Sequence, residues 1–387
     1  MKNRLKYPLS LFVVWHPKFE EGKKIAESLY SIFCRDIDQP LTRGLGIPVY
    51  FRSTSLIPID SSNSTRNAIV LLVEENYMTD EAFRGYTESL IKQVDDNTRL
   101  YPVALCEQAY GIGCGLDSLQ FMRYANGYIN AHADFPSAMK KIKTELLHDC
   151  ARLLMNVQST YMDKTGEKIP SPVKLFLSHA KKDGEETTKR FKQFVEGETK
   201  LDVFFDTVDI ADGYEFEKQI IAHIKNAALV VFHTDEYSTR EWCRIEVLVA
   251  KRNKCSIVVV HDIKNGEKRA FPYMGNTPTI ALREKEVETF LEIVNLTLYQ
   301  VVNNLYQLEL LKSFQDEFPI KGTEYISITS PPELFNYIDI FQKKQEDKHQ
   351  LVVLYPEPPL GAEELKILNE IDKEIKFITP IHLPTLV

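Results

Sequence analysis

Two side chains four positions apart, Trp242 and Glu246, carry the clearest chemical potential in the sequence. If the segment is helical, this spacing places both on one face, with the aromatic ring beside the carboxylate. A carboxylate in a partly buried site can stabilise positive charge that develops during a reaction. Taken alone, Glu246 equally fits a solvated helical charge, and Trp242 fits core or interface packing. Cys243, between them, fits a small buried apolar side chain better than a nucleophile.

A second group of side chains, Ser178, His179 and Lys181, stands at the end of an apolar run. If that run is a parallel strand, its carboxyl end lines the ligand crevice of the sheet. Ser178 and His179 are strand neighbours, so their side chains point apart and a nucleophilic pair is not expected. Phe205 and Asp206 end the next run; Phe205 fits the core, and Asp206 fits ligand binding or orientation of the following loop.

These residues belong to one half of an internal repeat. The run SLFVVWHP from Ser10 resembles KLFLSHA from Lys174, each leading to a histidine, and AIVLLVEENYMTDEAFRGYTE from Ala68 resembles ALVVFHTDEYSTREWCRIE from Ala228. Each half alternates five short apolar runs with helical segments, which predicts strands buried on both faces and parallel α/β sheets. The sequence therefore predicts two tandem flavodoxin-like, doubly wound parallel-sheet domains.

Three further strand candidates, punctuated by prolines, follow the second repeat and predict a small C-terminal α/β region. The stretch between the repeats contains Gly and Pro and is predicted to be a linker. The predicted organisation is a first domain at 1–155, a linker at 156–172, a second domain at 173–312 and the C-terminal region at 313–387.

Composition narrows the class of protein. The chain has 387 residues, is 44% hydrophobic and carries a formal net charge of -8, which argues against direct binding of nucleic acid or an anionic membrane. Its six cysteines include no C-x-x-C pair, so we expect reduced thiols in a cytoplasmic protein. The histidines show no metal spacing, and no metal is expected.

Three ordered motifs in the second repeat resemble those of the Toll/interleukin-1 receptor (TIR) domain family, over about a third of the chain. The last contains the W-C-x-x-E signature, at Trp242, Cys243 and Glu246, which is specific only when the first two motifs precede it. The motifs are FLSHAKKDGEE from Phe176, similar to the first strand and its loop; VFFDTVDIADGYEFEKQI from Val203, similar to the second strand and the so-called BB loop; and AALVVFHTDEYSTREWCRIEVLVA from Ala227, similar to the third strand and signature helix.

The resemblance implies a function. Some TIR domains are assembly scaffolds, and others cleave NAD+ with a glutamate at the position that Glu246 matches. The chain is thus expected to be an NAD+ nucleosidase, with ADP-ribose cyclase activity as a further outcome, for which NAD+ is the substrate and no cofactor is needed. The resemblance implies that Glu246 is catalytic and that the dinucleotide is contacted by Ser178, His179, Lys181, Phe205, Asp206 and Trp242.

One carboxylate is enough for this chemistry. Glycosidases usually need a second carboxyl group to protonate the leaving oxygen. Nicotinamide, by contrast, leaves a cationic ring as a neutral molecule, so the protein has only to stabilise an oxocarbenium-like ribose and orient its hydroxyls. In related enzymes the loop after the first strand often carries arginines, where this sequence has Ala180 and Lys181. That difference leaves the phosphate contacts open.

The resemblance also predicts how the protein is switched on. The segment Thr207 to Phe216 matches a loop that assembly repositions in TIR enzymes. We therefore expect self-association through TIR domains, weak activity as a monomer, and an activating partner or small-molecule signal. The expected setting is bacterial innate immunity, as an antiviral (anti-phage) defence effector. The alternatives are a non-catalytic TIR scaffold and a nucleotide-sensing assembly protein that uses residues 1–155.

The first repeat lacks the signature. Ala82 and Phe83 stand where the second repeat has Trp-Cys, Tyr86 matches the glutamate, and Arg52 matches the aspartate after the second strand. We interpret this half as a degenerate TIR-like domain for binding or assembly. Glu88, two residues further on, is an alternative second carboxylate if the alignment shifts locally.

Overall fold

The computed structural model describes residues 5–39, 44–123, 135–155, 160–162, 168–205, 221–225, 227–267, 270–283, 286–320, 322–346 and 350–385. The strands are β1 Tyr7–Trp15, β2 Val49–Arg52, β3 Ser64–Val73, β4 Thr98–Ala104, β5 Met122–Arg123, β6 Thr160–Met162, β7 Lys168–Pro170, β8 Lys174–His179, β9 Asp202–Phe205, β10 Ala228–His233, β11 Ile257–His261, β12 Thr279–Ala281, β13 Thr323–Ser327, β14 Gln350–Leu354 and β15 Lys376–Ile378. The helices are α1 Glu20–Phe33, α2 Glu75–Thr79, α3 Glu81–Ile91, α4 Phe135–Met155, α5 Glu185–Glu198, α6 Glu241–Arg252, α7 Glu286–Glu317, α8 Leu334–Glu346 and α9 Ala362–Ile371.

Both repeats form a five-stranded, all-parallel sheet with the same strand order. The first sheet runs β2-β1-β3-β4-β5, and the second runs β9-β8-β10-β11-β12. This is the flavodoxin order, in which the first strand of each repeat lies beside both the second and the third. The predicted fold class, two tandem flavodoxin-like α/β domains, is confirmed.

The central strands explain why the runs are continuously apolar. All six residues of β10 are buried, and so are all residues of β3 except Thr65. Side chains alternate between the two faces of a strand, so burial along its whole length means that both faces are covered. The helix after each first strand buries one face, as the spacing of Ile25, Leu29 and Phe33 in α1 requires.

The registers of the two sheets revise one correspondence between the repeats. Trp15 pairs with Leu72 of β3, and His179 pairs with Phe232 of β10. Leu72 and Phe232 hold the same position in the third strand of their repeats. Trp15 is therefore the counterpart of His179. The motif comparison matched it with His16, because the first run is one residue longer before its histidine.

Two connections depart from the sequence-based assignment. The fifth strand of the first sheet is Met122–Arg123. The last of the five apolar runs in this half of the sequence, YIN at 128–130, was the expected fifth strand and lies outside the described residues. The predicted linker contains two short strands, Thr160–Met162 and Lys168–Pro170, that pair antiparallel. In such a pair, backbone N–H and C=O groups bond to each other, whereas in an irregular linker they would be hydrogen-bonded to water.

The C-terminal strands form a third, separate sheet of parallel strands in the order β13-β14-β15. The predicted domain boundaries remain a prediction. Internal contacts divide the chain into two compact units, one comprising Met1–Leu154, Leu305–Pro331 and His349–Val387, and the other comprising Met155–Asn304 and Pro332–Lys348.

A buried arginine in the first unit yields a stability prediction. Arg66 on β3 is 3% exposed, and its Nη1 donates to Glu309 Oε2 of α7 at 2.5 Å. Glu309 itself is half-buried, and removing it leaves the buried Arg66 charge without this partner. We expect Glu309→Ala to lower the free energy of unfolding by about 3 kcal/mol in urea titrations. Asp316→Ala, at an exposed position of the same helix, is the control, and equal losses for the two variants would contradict the prediction.

Candidate active site

The signature helix buries its glutamate. Helix α6 presents Cys243, Glu246, Val247 and Ala250 to the interior, and Glu246 is only 4% exposed. These positions follow the i, i+3, i+4, i+7 pattern of a helix face turned toward a core. Trp242, in the first turn at the edge of that face, is 41% exposed. The two side chains therefore occupy different environments, and a pocket wall formed by the indole remains a prediction.

The glutamate belongs to a hydrogen-bonded group of three side chains. The hydroxyl of Ser178, near the carboxyl end of β8, donates to Oε2 of Glu246 in a short hydrogen bond. The same Ser178 oxygen lies 2.6 Å from the hydroxyl oxygen of Tyr237. Tyr237 Oη also lies 3.3 Å from the carbonyl oxygen of Cys243. The structure thus brings into contact two predicted site residues, Ser178 and Glu246, which are 68 positions apart in the sequence.

Tyr237 is a site residue that the sequence reasoning did not assign. It is completely buried, in the short 3₁₀ turn Tyr237–Thr239 before α6. Burial raises its pKa well above its ordinary value of 10.0, with Cys243 and Glu246 adding to the shift and the bond to Ser178 opposing it. The phenol therefore keeps its proton and can donate a hydrogen bond. The available signal was Tyr77, which holds the same position in the first repeat.

His179 packs against the end of the second strand. Its ring stacks on Phe205 with centroids 4.8 Å apart and planes 7° apart, and both side chains are buried. Lys192 Nζ lies 5.8 Å from the centre of the Phe205 ring. Ser178 and His179 point to different partners, in agreement with the expected alternation along a strand. Contacts of His179 and Phe205 with a dinucleotide stay predictions.

The remaining predicted residues divide between exposed, buried and undescribed positions. Lys181 is exposed, while its neighbour Lys182 forms an ion pair with Glu236 at 2.5 Å. Cys243 is buried and its Sγ lies 3.4 Å from the carbonyl oxygen of His179, the surroundings of a packing residue. Asp206 and the loop at 207–216 lie outside the described residues.

Two aspartates fasten the loops at the carboxyl edge of the second sheet. Asp183, after β8, accepts from the hydroxyl of Thr234 at 2.7 Å and from the backbone N–H of Glu236 at 3.1 Å. Asp235, after β10, accepts from the backbone N–H groups of Lys264 and Asn265 at 2.8 and 2.9 Å. Three loops that follow neighbouring strands are thereby linked around the candidate site.

A histidine pair lies at the ends of β10 and β11. The Nδ1 atoms of His233 and His261 are 3.3 Å apart, and His233 Nε2 lies 2.5 Å from Glu267 Oε1. Burial and the neighbouring His233 lower the pKa of His261, and Glu267 opposes that shift. Within the residues that the structure describes, no group of three or more His, Cys, Asp or Glu side chains is placed to hold a metal ion.

At the matching described positions, the first repeat does not repeat the Ser178–Glu246 hydrogen bond. By the same register, Val14 takes the place of Ser178, and Tyr86 takes the place of Glu246 and donates to the carbonyl of Ile57 at 3.0 Å. Tyr77 is retained, but its hydroxyl lies 2.8 Å from that of Thr87. Glu88 is exposed on α3.

These features define the class of protein: a flavodoxin-like α/β fold whose second sheet holds a buried carboxylate near the carboxyl end of its first strand. The family model described as TIR domain matches residues 175–294. The second repeat therefore contains the match to a TIR domain, as its three motifs predict.

Comparison with other proteins adds a structural match of low similarity. The TIR domain of the Toll-related receptor TRR-2 from the lower metazoan Hydra magnipapillata matches with 14% sequence identity and a TM-score of 0.25, over 30% of this chain and 88% of that one. No curated protein sequence matches the chain. In the described parts of the chain, no helix combines the length and apolar character that crossing a bilayer requires.

Proposed function

We propose that the protein is an NAD+ nucleosidase that breaks the bond between nicotinamide and ribose, with Glu246 as its catalytic carboxylate. The observation that carries the proposal is the placement of Glu246: buried, in the signature helix of a TIR domain, and hydrogen-bonded to Ser178 near the carboxyl end of β8. Ligands of open α/β sheets bind at the carboxyl ends of the strands. A carboxylate at that edge is suited to a cationic transition state.

The reaction balances without an acid or a cofactor. The electron pair of the breaking C–N bond goes to the pyridinium nitrogen, so nicotinamide leaves neutral. The ribose carbon then carries positive charge, which Glu246 stabilises across a site of low dielectric constant. Water adds to that carbon and loses a proton, giving ADP-ribose. If a nitrogen of the adenine adds instead, the product is a cyclic ADP-ribose isomer.

The low exposure of the Glu246 carboxylate implies that activity is regulated by a conformational change. At 4% exposure, Glu246 has to become more accessible before a ribose can approach it. Self-association is a source of free energy for such a rearrangement, since binding stabilises whichever conformation it favours. We therefore retain assembly through the TIR domain, triggered by a partner or a small molecule, as part of the proposal. A cytoplasmic immune role belongs to the same proposal.

We expect the specific activity to increase with protein concentration. A species with the carboxylate covered is inactive, and mass action shifts the population toward the assembled, competent species. Turnover per chain should rise at least about tenfold between dilute monomer and concentrations that produce larger particles, measured by nicotinamide release with light scattering in parallel. Full turnover in a monomeric sample would contradict this prediction.

The function itself is tested by incubating the full chain with NAD+ and separating nicotinamide, ADP-ribose and cyclic products by chromatography. The incubation is repeated with a crowding agent and at protein concentrations where particles form. Release of nicotinamide that stops on replacement of Glu246 supports the proposal. Absence of nicotinamide in samples that demonstrably self-associate rejects it.

The alternative is a scaffold in which the TIR domain serves only protein association. The observation that favours it is that Ser178 is hydrogen-bonded to both Glu246 and the buried Tyr237. This arrangement can equally serve to stabilise the fold. The two functions differ in what they require. A scaffold still assembles when the Glu246 carboxylate is removed. It releases no nicotinamide whether that carboxylate is present or absent.

A further inference from the structure

Three hydroxyl and carboxyl groups form a continuous chain in the TIR domain. The phenol oxygen of Tyr237, the hydroxyl of Ser178 and Oε2 of Glu246 follow one another, the first two oxygens being 2.6 Å apart. Tyr237 is completely buried, and Ser178 and Glu246 are 1% and 4% exposed. The bonds are therefore shielded from water. In such an interior of low dielectric constant, hydrogen bonds are stronger and an unpaired polar group is more costly.

The direction of donation follows from counting protons. Ser178 donates its single proton to Oε2 of Glu246, so its oxygen must accept from Tyr237. Tyr237 also has one proton, and its 2.6 Å separation from Ser178 is much closer to a good O–H···O distance than its 3.3 Å separation from the carbonyl of Cys243. The chain thus runs from the phenol through the serine to the carboxylate.

We propose that Tyr237 is a positioning residue for the NAD+ nucleosidase reaction, acting through Ser178 to hold the Glu246 carboxylate in its reactive orientation. The proposal rests on the proposed function. It gives Ser178 a role that differs from the predicted contact with the dinucleotide. Tyr237 does not touch substrate; its effect reaches the ribose only through the direction in which the carboxylate points.

The first repeat is an internal comparison in favour of this role. Tyr77 occupies the position of Tyr237 and is also completely buried. There, Val14 and Tyr86 replace the serine and glutamate, and the phenol bonds to Thr87 instead. A buried tyrosine thus fits this position of the fold without a carboxylate, and only in the second repeat is it connected to one.

The kinetic test uses three variants of the full chain: Tyr237→Phe, Ser178→Ala and the double variant. Each single change should lower kcat by roughly 10- to 100-fold with little change in KM, because orientation of the carboxylate matters most in the transition state. Since Tyr237 acts through Ser178, the double variant should lose no more than Ser178→Ala. Ser178→Thr, which retains the hydroxyl, should recover much of the loss.

Tyr77→Phe is the matched control. It removes an equally buried phenol oxygen from the first repeat and should leave kcat unchanged. Losses from Tyr237→Phe and Ser178→Ala that multiply in the double variant would overturn the proposal, as would a Tyr237→Phe variant with native kcat. Those outcomes leave the proposed function intact if Glu246→Gln loses turnover as expected. A Glu246→Gln variant with native turnover instead rejects Glu246 as the catalytic carboxylate.

A second measurement needs no substrate. In a double-mutant cycle of Tyr237→Phe and Glu246→Ala, which removes the acceptor at the end of the chain, the unfolding equilibrium constants in urea should be coupled by a factor of about three or more. A cycle of Tyr77→Phe with Glu246→Ala should be additive. Coupling below twofold in the first cycle overturns the chain of hydrogen bonds even if no turnover is detected. If Tyr237→Phe does not fold, the cycle of Ser178→Ala with Glu246→Ala decides.

Discussion

Replacing Glu246 by glutamine is expected to reduce kcat for nicotinamide release by about 100- to 1,000-fold. The amide has nearly the shape of the carboxylate and can still accept from Ser178, so the change removes charge more than structure. Without that charge, the cationic ribose of the transition state loses its main electrostatic stabilisation. KM should change little, because the intact dinucleotide gains less from the carboxylate. Steady-state release of nicotinamide at a concentration that supports assembly measures both constants.

Glu88→Gln is the control for this prediction. Glu88 lies on α3 of the first repeat, is exposed, and was the alternative second carboxylate. Its replacement should leave kcat within twofold of the native value. Both variants are compared by size and by urea unfolding, so that a folding defect is recognised. A Glu246→Gln enzyme within threefold of native turnover would reject Glu246 as the catalytic carboxylate, whereas loss in both variants would point to a second carboxylate.

Replacing Phe191 by alanine should lower the free energy of unfolding of the TIR domain by about 3–5 kcal/mol. Phe191 on α5 is completely buried and lies between Phe232 of β10 and Phe290 of α7, with ring centroids 5.4 and 5.2 Å away. The cost combines lost apolar burial with a cavity that two large neighbouring rings cannot easily fill. Phe191→Leu retains most of the volume and should cost less than half as much.

Val287→Ala provides the comparison in the same region. Val287 is in the first turn of α7 and is 66% exposed, so its truncation should change the free energy of unfolding by no more than about 0.5 kcal/mol. Urea titration followed by circular dichroism and by tryptophan fluorescence measures both variants. A Phe191→Ala loss below about 1 kcal/mol would mean that this aromatic contact is not part of the core.

The strand order was predictable because the signal is local and repeated. Short continuous apolar runs such as Ala68–Val73 and Ala228–His233 indicate strands covered on both faces, and helical segments between them favour parallel connections. The short edge strand at Met122–Arg123 was not predicted, since two residues carry no periodic signal, and the predicted run at 128–130 lies outside the described residues. The match of His16 with His179 was wrong for a related reason: only pairing with a neighbouring strand defines register.

The sequence by itself determined the fold class, the duplication and the candidate carboxylate, because apolar periodicity and the spacing of a signature are properties of consecutive residues. It could not join Tyr237 to Ser178, 59 positions away, or Ser178 to Glu246, 68 positions away. Only the tertiary structure brought these three groups into hydrogen-bonding distance and left Trp242 at the margin. The physical reason is that hydrogen bonds depend on distance in space, and a parallel sheet places the ends of strands far apart in sequence at one common edge.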